Sequence, residues 1–217
     1  KVFPVSLKVN KSNYGFGWKI TKSSQKNGAF HMESSVHSYE DLKKLRPASI
    51  EIDWEGTKQY AEFAEYILGD ILPVEVKGVD RCRCGLTKEL LVFRSLDQLM
   101  LDLYDNPEMI HELMNFLCNE QIREYEFYEK EGALSLNNEA DFVTGSGGIA
   151  HNDLLPAEDF DGKVRLKDMI VWGESQETVG ISPAQFEEFV LQYQLKVLNR
   201  FGLVDYGCCE PLDSRFD

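Results

Sequence analysis

Apolar side chains recur along the chain at two different spacings, and each spacing predicts a different kind of element. Spacings of three and four residues predict helices over residues 57–68 and 87–103, from residue 107 to Gly132, and from Ser182 to Gly202. Alternating or short continuous apolar runs predict strands over residues 2–9, 18–21, 49–53, 71–77, 133–138, 169–172 and 203–206. Residues 1–55 are therefore expected to form a strand-rich N-terminal part.

The order of these elements predicts the fold class. From residue 49 it runs strand, helix, strand, two helices, strand, long loop, strand, helix and strand. Such alternation is typical of parallel strands joined by crossover helices, and no strand is followed by the GxGxxG turn of a dinucleotide-binding sheet. We therefore predict a parallel (β/α) barrel of the TIM type. Because a complete barrel takes about 250 residues, residues 1–217 are expected to form a single domain with an incomplete barrel, or a fragment of one.

Polar side chains and thiols follow several predicted strands. In parallel α/β folds, active sites lie at the C-terminal ends of the strands. This rule selects Asn137, Asn138, the glycine-rich residues 145–148, residues 174–176 and residues 206–210. We expect these groups to share one edge of the fold.

Two of these segments have a second interpretation. Glu174, Ser175 and Gln176 could hold a polar ligand, or they could satisfy the backbone amides of a helix-entry loop. Residues 145–148 could bring backbone N–H groups to an anion, although a flexible loop is the more ordinary interpretation of such a segment.

The five cysteines indicate free thiols. Their odd number argues against a closed disulfide framework, and reduced cytoplasmic thiols are the default expectation. In an extended strand, Cys208 and Cys209 would project to opposite sides, so a turn is needed before both can bind one metal ion. Their other interpretation is as small packing residues. The Cys82-x-Cys84 pair is a weak metal motif, and the arginines beside it could instead meet a carboxylate.

Charge and hydropathy narrow the range of partners. The formal net charge is −14, so a polyanion would be repelled and nucleic acid is not an expected partner. The acidic surface is interpreted as a source of solubility, or alternatively as a docking face for a basic partner. The longest apolar runs are only a few residues, so no membrane span is predicted.

Residues 172–193 resemble the uroporphyrinogen decarboxylase superfamily, which includes the decarboxylases of haem biosynthesis and corrinoid or coenzyme M methyltransferases. Glu174 and Ser175 match the acidic residue and serine that end a strand in that family, ahead of a Ser-Pro helix start. Gln192-Tyr193 stands where the family has Pro-Tyr. The Asp-Asn-Pro-Glu run at residues 105–108 is similar to another helix start of the family, and the resemblance covers residues 70–213.

The resemblance implies a (β/α)8 barrel and specific site residues. Ser175 matches a substrate-contacting serine of the decarboxylases. The methyltransferases end the strand after the Ser-Pro helix in a zinc-binding His-x-Cys pair, which corresponds to Tyr206 and Cys208 here, with tyrosine replacing histidine. The decarboxylases' N-terminal arginine motif has no counterpart in residues 1–55. The chain is therefore expected to be a divergent, central part of a longer protein.

The functional expectation is a cytoplasmic methyltransferase of a corrinoid system, in an anaerobe. Its alternatives are a tetrapyrrole decarboxylase, which the acidic charge disfavours, and a non-catalytic ligand- or partner-binding module. Zinc is a candidate cofactor, with Cys208 as its ligand. Expected partners are a small-molecule substrate, a corrinoid protein and a second copy of the chain. The predicted catalytic residues are Glu174, Cys208 and Cys209, and the predicted substrate-binding residues are Asn137, Asn138, Trp172, Ser175, Gln176, Tyr206 and Glu210.

Overall fold

The computed structural model of the chain describes residues 1–17, 19–25, 27–139, 145, 147, 150–213 and 215. Its strands are β1 (Phe3–Ser6), β2 (Val9–Lys11), β3 (Lys19–Lys22), β4 (Phe30–Glu33), β5 (Ile50–Ile52), β6 (Val74–Lys77), β7 (Cys82–Cys84), β8 (Ile170–Gly173) and β9 (Leu203–Tyr206). Its α-helices are α1 (Trp54–Leu68), α2 (Leu86–Phe93), α3 (Leu96–Asp105), α4 (Pro107–Lys130), α5 (Pro183–Phe186) and α6 (Gln192–Leu198). Position 18 of the predicted strand 18–21 lies outside the described residues.

Three parallel strands form the sheet that positions the candidate site. They lie in the order β7, β8, β9, with Cys84 beside Gly173 and Gly173 beside Tyr206. A π-helical segment, Glu187–Leu191, joins α5 to α6, and together these helices connect β8 to β9. Helical crossovers between parallel strands are what the order of elements predicts.

The predicted TIM barrel is wrong. In the described part of the chain, the strands form four separate sheets of two or three strands each. The pairs β2–β5 and β3–β4 are antiparallel, and β1 pairs in parallel with β6 apart from the three-stranded sheet. A TIM barrel closes eight parallel strands around one axis. The alternation of strands and helices does not specify which strands pair, and this is where the prediction fails.

The predicted strand over residues 133–138 is replaced by an extended segment with one isolated bridge, between Val79 and Leu134. Beyond that bridge, the side chain of Asn137 makes the hydrogen bonds to the neighbouring segments. The amide oxygen of Asn137 accepts the N–H of Ile170 at 2.9 Å, and its NH2 group donates to the carbonyls of Asp80 and Ile170 at 2.8 Å each. Because one polar side chain joins both neighbours, no regular ladder of backbone hydrogen bonds forms there.

The predicted helix over residues 87–103 is two helices. Arg94 and Ser95 adopt extended backbone angles between α2 and α3. The Arg94 guanidinium is buried, and its Nε lies 2.5 Å from the carboxylate of Asp102 and its Nη1 3.0 Å from the carbonyl of Val36. These contacts hold the break in a fixed conformation, which the apolar spacing of the sequence could not indicate.

The main core lies between the three-stranded sheet and helices α2, α4, α5 and α6. Leu113 and Met114 of α4 are fully buried, as are Val171 of β8 and Val197 of α6. In contrast, the apolar face of α1 is about half exposed at Tyr60, Phe63 and Ile67. Among the described residues, no helix has both the length and the apolar character that crossing a bilayer requires.

Candidate functional site

The carboxyl ends of β8 and β9 bring several of the predicted site residues together. Glu174 and Ser175 directly follow β8, and residues 207–210 directly follow β9. Because the two strands are parallel and in register, these segments meet at one edge of the sheet. We call this edge, formed by residues 174–175 and 206–210 together with Arg83, the carboxyl edge.

The carboxylate of Glu210 ties the two segments to each other. Its Oε1 accepts the backbone N–H of Ser175 at 2.8 Å, and its Oε2 accepts the backbone N–H of Cys208 at 3.2 Å. Glu210 is buried although its side chain is polar. A buried carboxylate that accepts backbone N–H groups fixes the positions of the segments that donate them.

Tyr206 belongs to a hydrogen-bonded chain beneath this edge. Its hydroxyl lies 2.6 Å from Oε1 of Gln194 and 3.0 Å from Oγ of Ser175. Gln194 is fully buried and donates to the carbonyl of Glu174 at 2.6 Å. Burial is the main cause that raises the pKa of Tyr206, so its phenol stays protonated at neutral pH. The hydroxyl of Tyr206 is therefore engaged as a hydrogen-bonding group.

Glu174 is a buried acid with few partners. It is 1% exposed and forms an ion pair with the guanidinium of Arg83, which lies 5.3 Å from the ring of Trp172. Beyond that ion pair, neither carboxylate oxygen has a hydrogen-bond partner among the described residues. Burial raises the pKa of Glu174, the charge of Arg83 opposes the rise, and the nearby acids Glu177 and Glu210 add to it. A carboxyl with a raised pKa in such a place is suited to proton transfer.

Cys208 and Cys209 face each other, because the chain turns at Gly207 directly after β9. Gly207 has a φ of +126°, and its carbonyl accepts the indole N–H of Trp172 at 2.8 Å. The two sulfur atoms lie 3.6 Å apart. Cys209 is exposed and Cys208 is half-buried. The hydrogen bond with Cys208 is the main cause that raises the pKa of Cys209, followed by the charge of Cys208, by burial and by the charge of Glu210.

This pair of thiols fits half of a zinc site. Tetrahedral zinc with Zn–S distances of about 2.3 Å places two sulfur ligands about 3.8 Å from each other, and the observed separation is 3.6 Å. No cluster of three or more histidine, cysteine or acidic side chains suited to a metal ion occurs in the described ranges. A metal ion held by Cys208 and Cys209 would therefore take its other ligands from elsewhere, such as the substrate.

Two of the predicted substrate-binding residues lie in the interior instead. Asn137 is 1% exposed, and the hydrogen bonds to Ile170 and Asp80 described above occupy its amide. Asn138 is also buried and donates to the carbonyl of Leu155 at 2.6 Å. Both amides join parts of the fold, since extended segments that lack a ladder need side-chain partners.

The remaining predicted positions are near the carboxyl edge. Trp172 is the last residue but one of β8, and its indole is covered on one side by Gly145, where a Cβ atom would collide with the ring. Gln176 is half-buried and begins the 3-10 helix Gln176–Thr178. Of the glycine-rich loop, residues 146 and 148 lie outside the described residues, so the anion interpretation of that loop stays untested.

The Cys82-x-Cys84 motif places its thiols in the core. Both cysteines are buried in β7, and burial raises the pKa of each thiol far above its usual value. Cys118 is also buried and lies 3.3 Å from the carbonyl of Tyr193. Arg83, between the two β7 cysteines, points instead to Glu174. Alternation along the strand explains this division.

Three residues that contact this edge or belong to it were absent from the predicted site. Arg83 pairs with Glu174, Gln194 holds Tyr206, and Arg215 donates to Oγ of Ser175 at 2.7 Å and to the carbonyl of Thr178 at 2.7 Å. Two of them left a signal in the sequence. Gln194 is a polar residue next to the apolar stripe of its helix, and Arg83 is a charged residue between two apolar thiols. Arg215 left no such signal.

Comparison with known proteins identifies no relative: no family model matches the chain, and no curated protein or solved structure is significantly similar to it. The resemblance to the uroporphyrinogen decarboxylase superfamily therefore rests on the matching residues alone. The function has to be argued from the geometry of the carboxyl edge.

Proposed function

We propose that this chain is a methyltransferase-type enzyme of a corrinoid system, with its site at the carboxyl edge of the three-stranded sheet. The observation that carries the proposal is a pair of thiols 3.6 Å apart beside a buried acid, Glu174, at the ends of adjacent parallel strands. Sulfur is the protein donor best suited to soft metals and to accepting alkyl groups. The Glu174-Ser175 resemblance points to the same edge.

In this proposal Cys208 and Cys209 hold a thiophilic ion such as zinc. When bound, such an ion keeps coordinated thiols deprotonated, which supplies a nucleophile at neutral pH. The chain's own contribution is to position the two sulfurs. Gly207 provides the turn, Trp172 holds the carbonyl of Gly207, and Glu210 holds the N–H of Cys208.

Glu174 is assigned the proton-transfer role. Its raised pKa lets it hold a proton closer to neutral pH than an ordinary glutamate does. Arg83 fixes its orientation, and two buried side chains fix the Glu174–Ser175 peptide: Gln194 donates to the carbonyl of Glu174, and Glu210 accepts the N–H of Ser175. The acid and the thiols come from the ends of adjacent parallel strands, at the same edge of the sheet.

The experiment is a methyl-transfer assay with methylcobalamin as donor and a small alkyl thiol as acceptor, followed by the visible spectrum of the cobalamin. The wild type is expected to turn over, Cys208→Ser to fall to background and Glu174→Gln to lose roughly 100-fold. Cys118→Ala is the matched control, since it removes a thiol that is buried away from the edge. Turnover that survives Cys208→Ser would refute the assignment.

Zinc binding gives a second readout that does not depend on turnover. Equilibrium dialysis of the wild type and of Cys118→Ala is expected to give the same stoichiometry of bound zinc. Cys208→Ser and Cys209→Ser are each expected to weaken binding, because each removes one of the two thiolates. Equal zinc affinity in all four proteins would exclude the thiol pair as the metal site.

A second candidate is a decarboxylase, because two guanidinium groups, those of Arg83 and Arg215, lie at the same edge. Guanidinium groups bind carboxylates in a two-point geometry, so they favour a substrate that carries carboxylates. Turnover of a porphyrinogen that is lost in Arg215→Gln and retained in Cys208→Ser would favour this candidate over methyl transfer.

We also propose a cytoplasmic location and two partners. All five cysteines are free, and a reducing compartment keeps thiols in that state. The partners are a small-molecule substrate and a protein that carries the corrinoid. These assignments follow the methyl-transfer proposal and fall with it.

A further inference from the structure

The thiols of the chain divide sharply into two classes. Cys82, Cys84 and Cys118 are at most 4% exposed, whereas Cys209 is exposed and Cys208 is half-buried. Reagents dissolved in water therefore reach two of the five thiols. Those two are neighbours in the sequence, and their sulfur atoms lie 3.6 Å apart.

We propose that Cys208 and Cys209 form a reversible modification site, which closes to a disulfide between adjacent residues by exchange with a small disulfide such as oxidised glutathione. Closure of the ring is independent of the proposed function. Its effect on activity rests on that function, because the same two thiols are its proposed metal ligands.

The exchange can be written with its electrons balanced. The thiolate of Cys209, the more accessible of the two, attacks one sulfur of the small disulfide and releases the other half as a thiol. Cys208 then attacks the mixed disulfide on Cys209 and releases the second half. One S–S bond breaks and one forms, two electrons pass to the small disulfide, and the two protons of the cysteines leave with the released thiols.

The geometry favours closure within the chain over every competing pair. The sulfurs have to approach from 3.6 Å to about 2.05 Å. The remaining cysteines are enclosed in the core, where neither a dissolved disulfide nor the sulfur of Cys209 reaches them. A mixed disulfide on Cys209 therefore meets Cys208 before any other thiol of the chain.

The covalent geometry of neighbouring residues makes this disulfide easy to reduce. Consecutive Cα atoms are about 3.8 Å apart, which is below the usual range of about 4.4–6.8 Å for disulfide-linked residues. The bond is therefore strained, and strained disulfides belong to the labile and regulatory kind. A disulfide that forms and is reduced again as the ratio of thiols to disulfides in solution changes needs this property.

Closure of the ring would reach the rest of the carboxyl edge through Glu210. One oxygen of that carboxylate holds the N–H of Cys208, and the other holds the N–H of Ser175. Drawing the two sulfurs together changes the turn at residues 207–209, including the Gly207–Cys208 peptide that carries the N–H of Cys208, and so weakens the first of these contacts. The oxidised protein thus loses its two accessible thiols and one of the two contacts that hold Glu210 beside Ser175.

The test is to treat the fully reduced protein with oxidised glutathione and to measure the intact mass and the number of reactive thiols under native conditions. We expect a loss of about 2 Da, one hydrogen from each thiol, and a fall in reactive thiols from two to none. Cys118→Ala is expected to behave identically. Cys208→Ser and Cys209→Ser are each expected to gain a glutathione adduct instead of closing.

Three results would overturn the inference: a stable glutathione adduct on the wild type, a disulfide-linked dimer as the main product, or loss of thiols that persists in the double variant Cys208→Ser, Cys209→Ser. Failure of the methyl-transfer proposal is recognised separately. In that case the ring still closes and reopens with dithiothreitol, while methylcobalamin turnover is absent from the reduced protein as well. If zinc that is bound beforehand prevents formation of the disulfide, the metal site and the modification site are the same pair of thiols.

Discussion

Strand β8 has a buried carboxylate at each end, and the two are held in opposite ways. Asp168, just before the strand, is fully buried and accepts bonds from the side chain of Arg165 at 2.8 and 3.0 Å, and from the N–H groups of Arg165 and Ala157 at 3.0 and 3.1 Å. Glu174, just after it, has the ion pair with Arg83 and no further partner among the described residues.

The pKa values of the two acids follow this difference. Burial raises the pKa of Asp168, but the hydrogen bonds from Arg165 and from the backbone outweigh burial, and the net shift is downward. Burial also raises the pKa of Glu174, and Arg83 alone does not compensate, so the net shift is upward. A fully satisfied buried acid stabilises a fold, whereas a poorly satisfied one is a candidate for chemistry.

Cavity size does not distinguish an end of the strand that stabilises the fold from an end that is a candidate for chemistry. A cavity of about 600 Å³ lies near the amino end of β8 and is lined by Lys130, Lys163, Arg165, Lys167 and Arg200, with Glu126 and Glu129. It also lies beside the C-terminal end of α4, where basic side chains complement the helix dipole. The helix end accounts for Lys130, and ion pairs account for Arg165, Lys167 and Arg200. Glu174 at the carboxyl edge has no comparable set of partners among the described residues.

The largest expected effect comes from replacing each acid of this pair by its amide. Asp168→Asn is expected to lower the free energy of unfolding by about 3 kcal/mol, because it breaks a buried ion pair and places an NH2 group against backbone N–H donors. Glu174→Gln is expected to cost less than about 1 kcal/mol, since Arg83 is 33% exposed and can be solvated by water. Urea unfolding of both variants measures the difference. Equal losses would show that the two ends of β8 are alike.

A smaller effect is expected in the pH dependence of stability, with opposite signs at the two ends. The folded pKa of Asp168 is lowered from 3.8, so its contribution is present above pH 3.8 and is lost as the pH falls further. The folded pKa of Glu174 is raised from 4.5, so it costs stability as the pH rises from 4.5 through the folded value.

Urea midpoints from acid to neutral pH are the measurement for both acids. Relative to the wild type, Glu174→Gln is expected to gain stability as the pH rises above 4.5. The difference in stability between the wild type and Asp168→Asn is expected to shrink as the pH falls below 3.8. Parallel curves for the wild type and both variants would show that neither carboxylate changes its pKa on folding.

The sequence predicted the local features of the carboxyl edge better than the fold around it. The end of β8 and the Ser-Pro helix start were predictable, because strand periodicity and a capping box depend on neighbouring residues. The closed barrel was not, because pairing depends on contacts distant in sequence. The inward amide of Asn137 and the break at Arg94 depend on such contacts too.

The facing thiols depend on a local feature that the sequence left open. An extended backbone would point Cys208 and Cys209 apart, and a turn would be needed to bring them together. The strand ends at Tyr206, as predicted, and Gly207 adopts a positive φ that the Trp172 indole stabilises from the neighbouring strand. The glycine was visible in the sequence, but the contact that fixes its conformation was not.

The smallest effects compare single contacts at the two ends of the sheet. Tyr206→Phe is expected to cost about 1–2 kcal/mol, because it leaves the buried oxygen of Gln194 without its 2.6 Å partner.

Glu126→Gln, near the amino end, removes an ion pair with Arg200 that is also 2.6 Å long but exposed, with 55% and 37% of the two side chains in contact with water. It is expected to cost less than about 0.5 kcal/mol, since water screens and replaces exposed pairs. Urea unfolding at low and high salt separates the two cases: added salt should reduce only the Glu126→Gln difference. If that substitution costs as much as Tyr206→Phe, burial is not what distinguishes the two ends of the sheet.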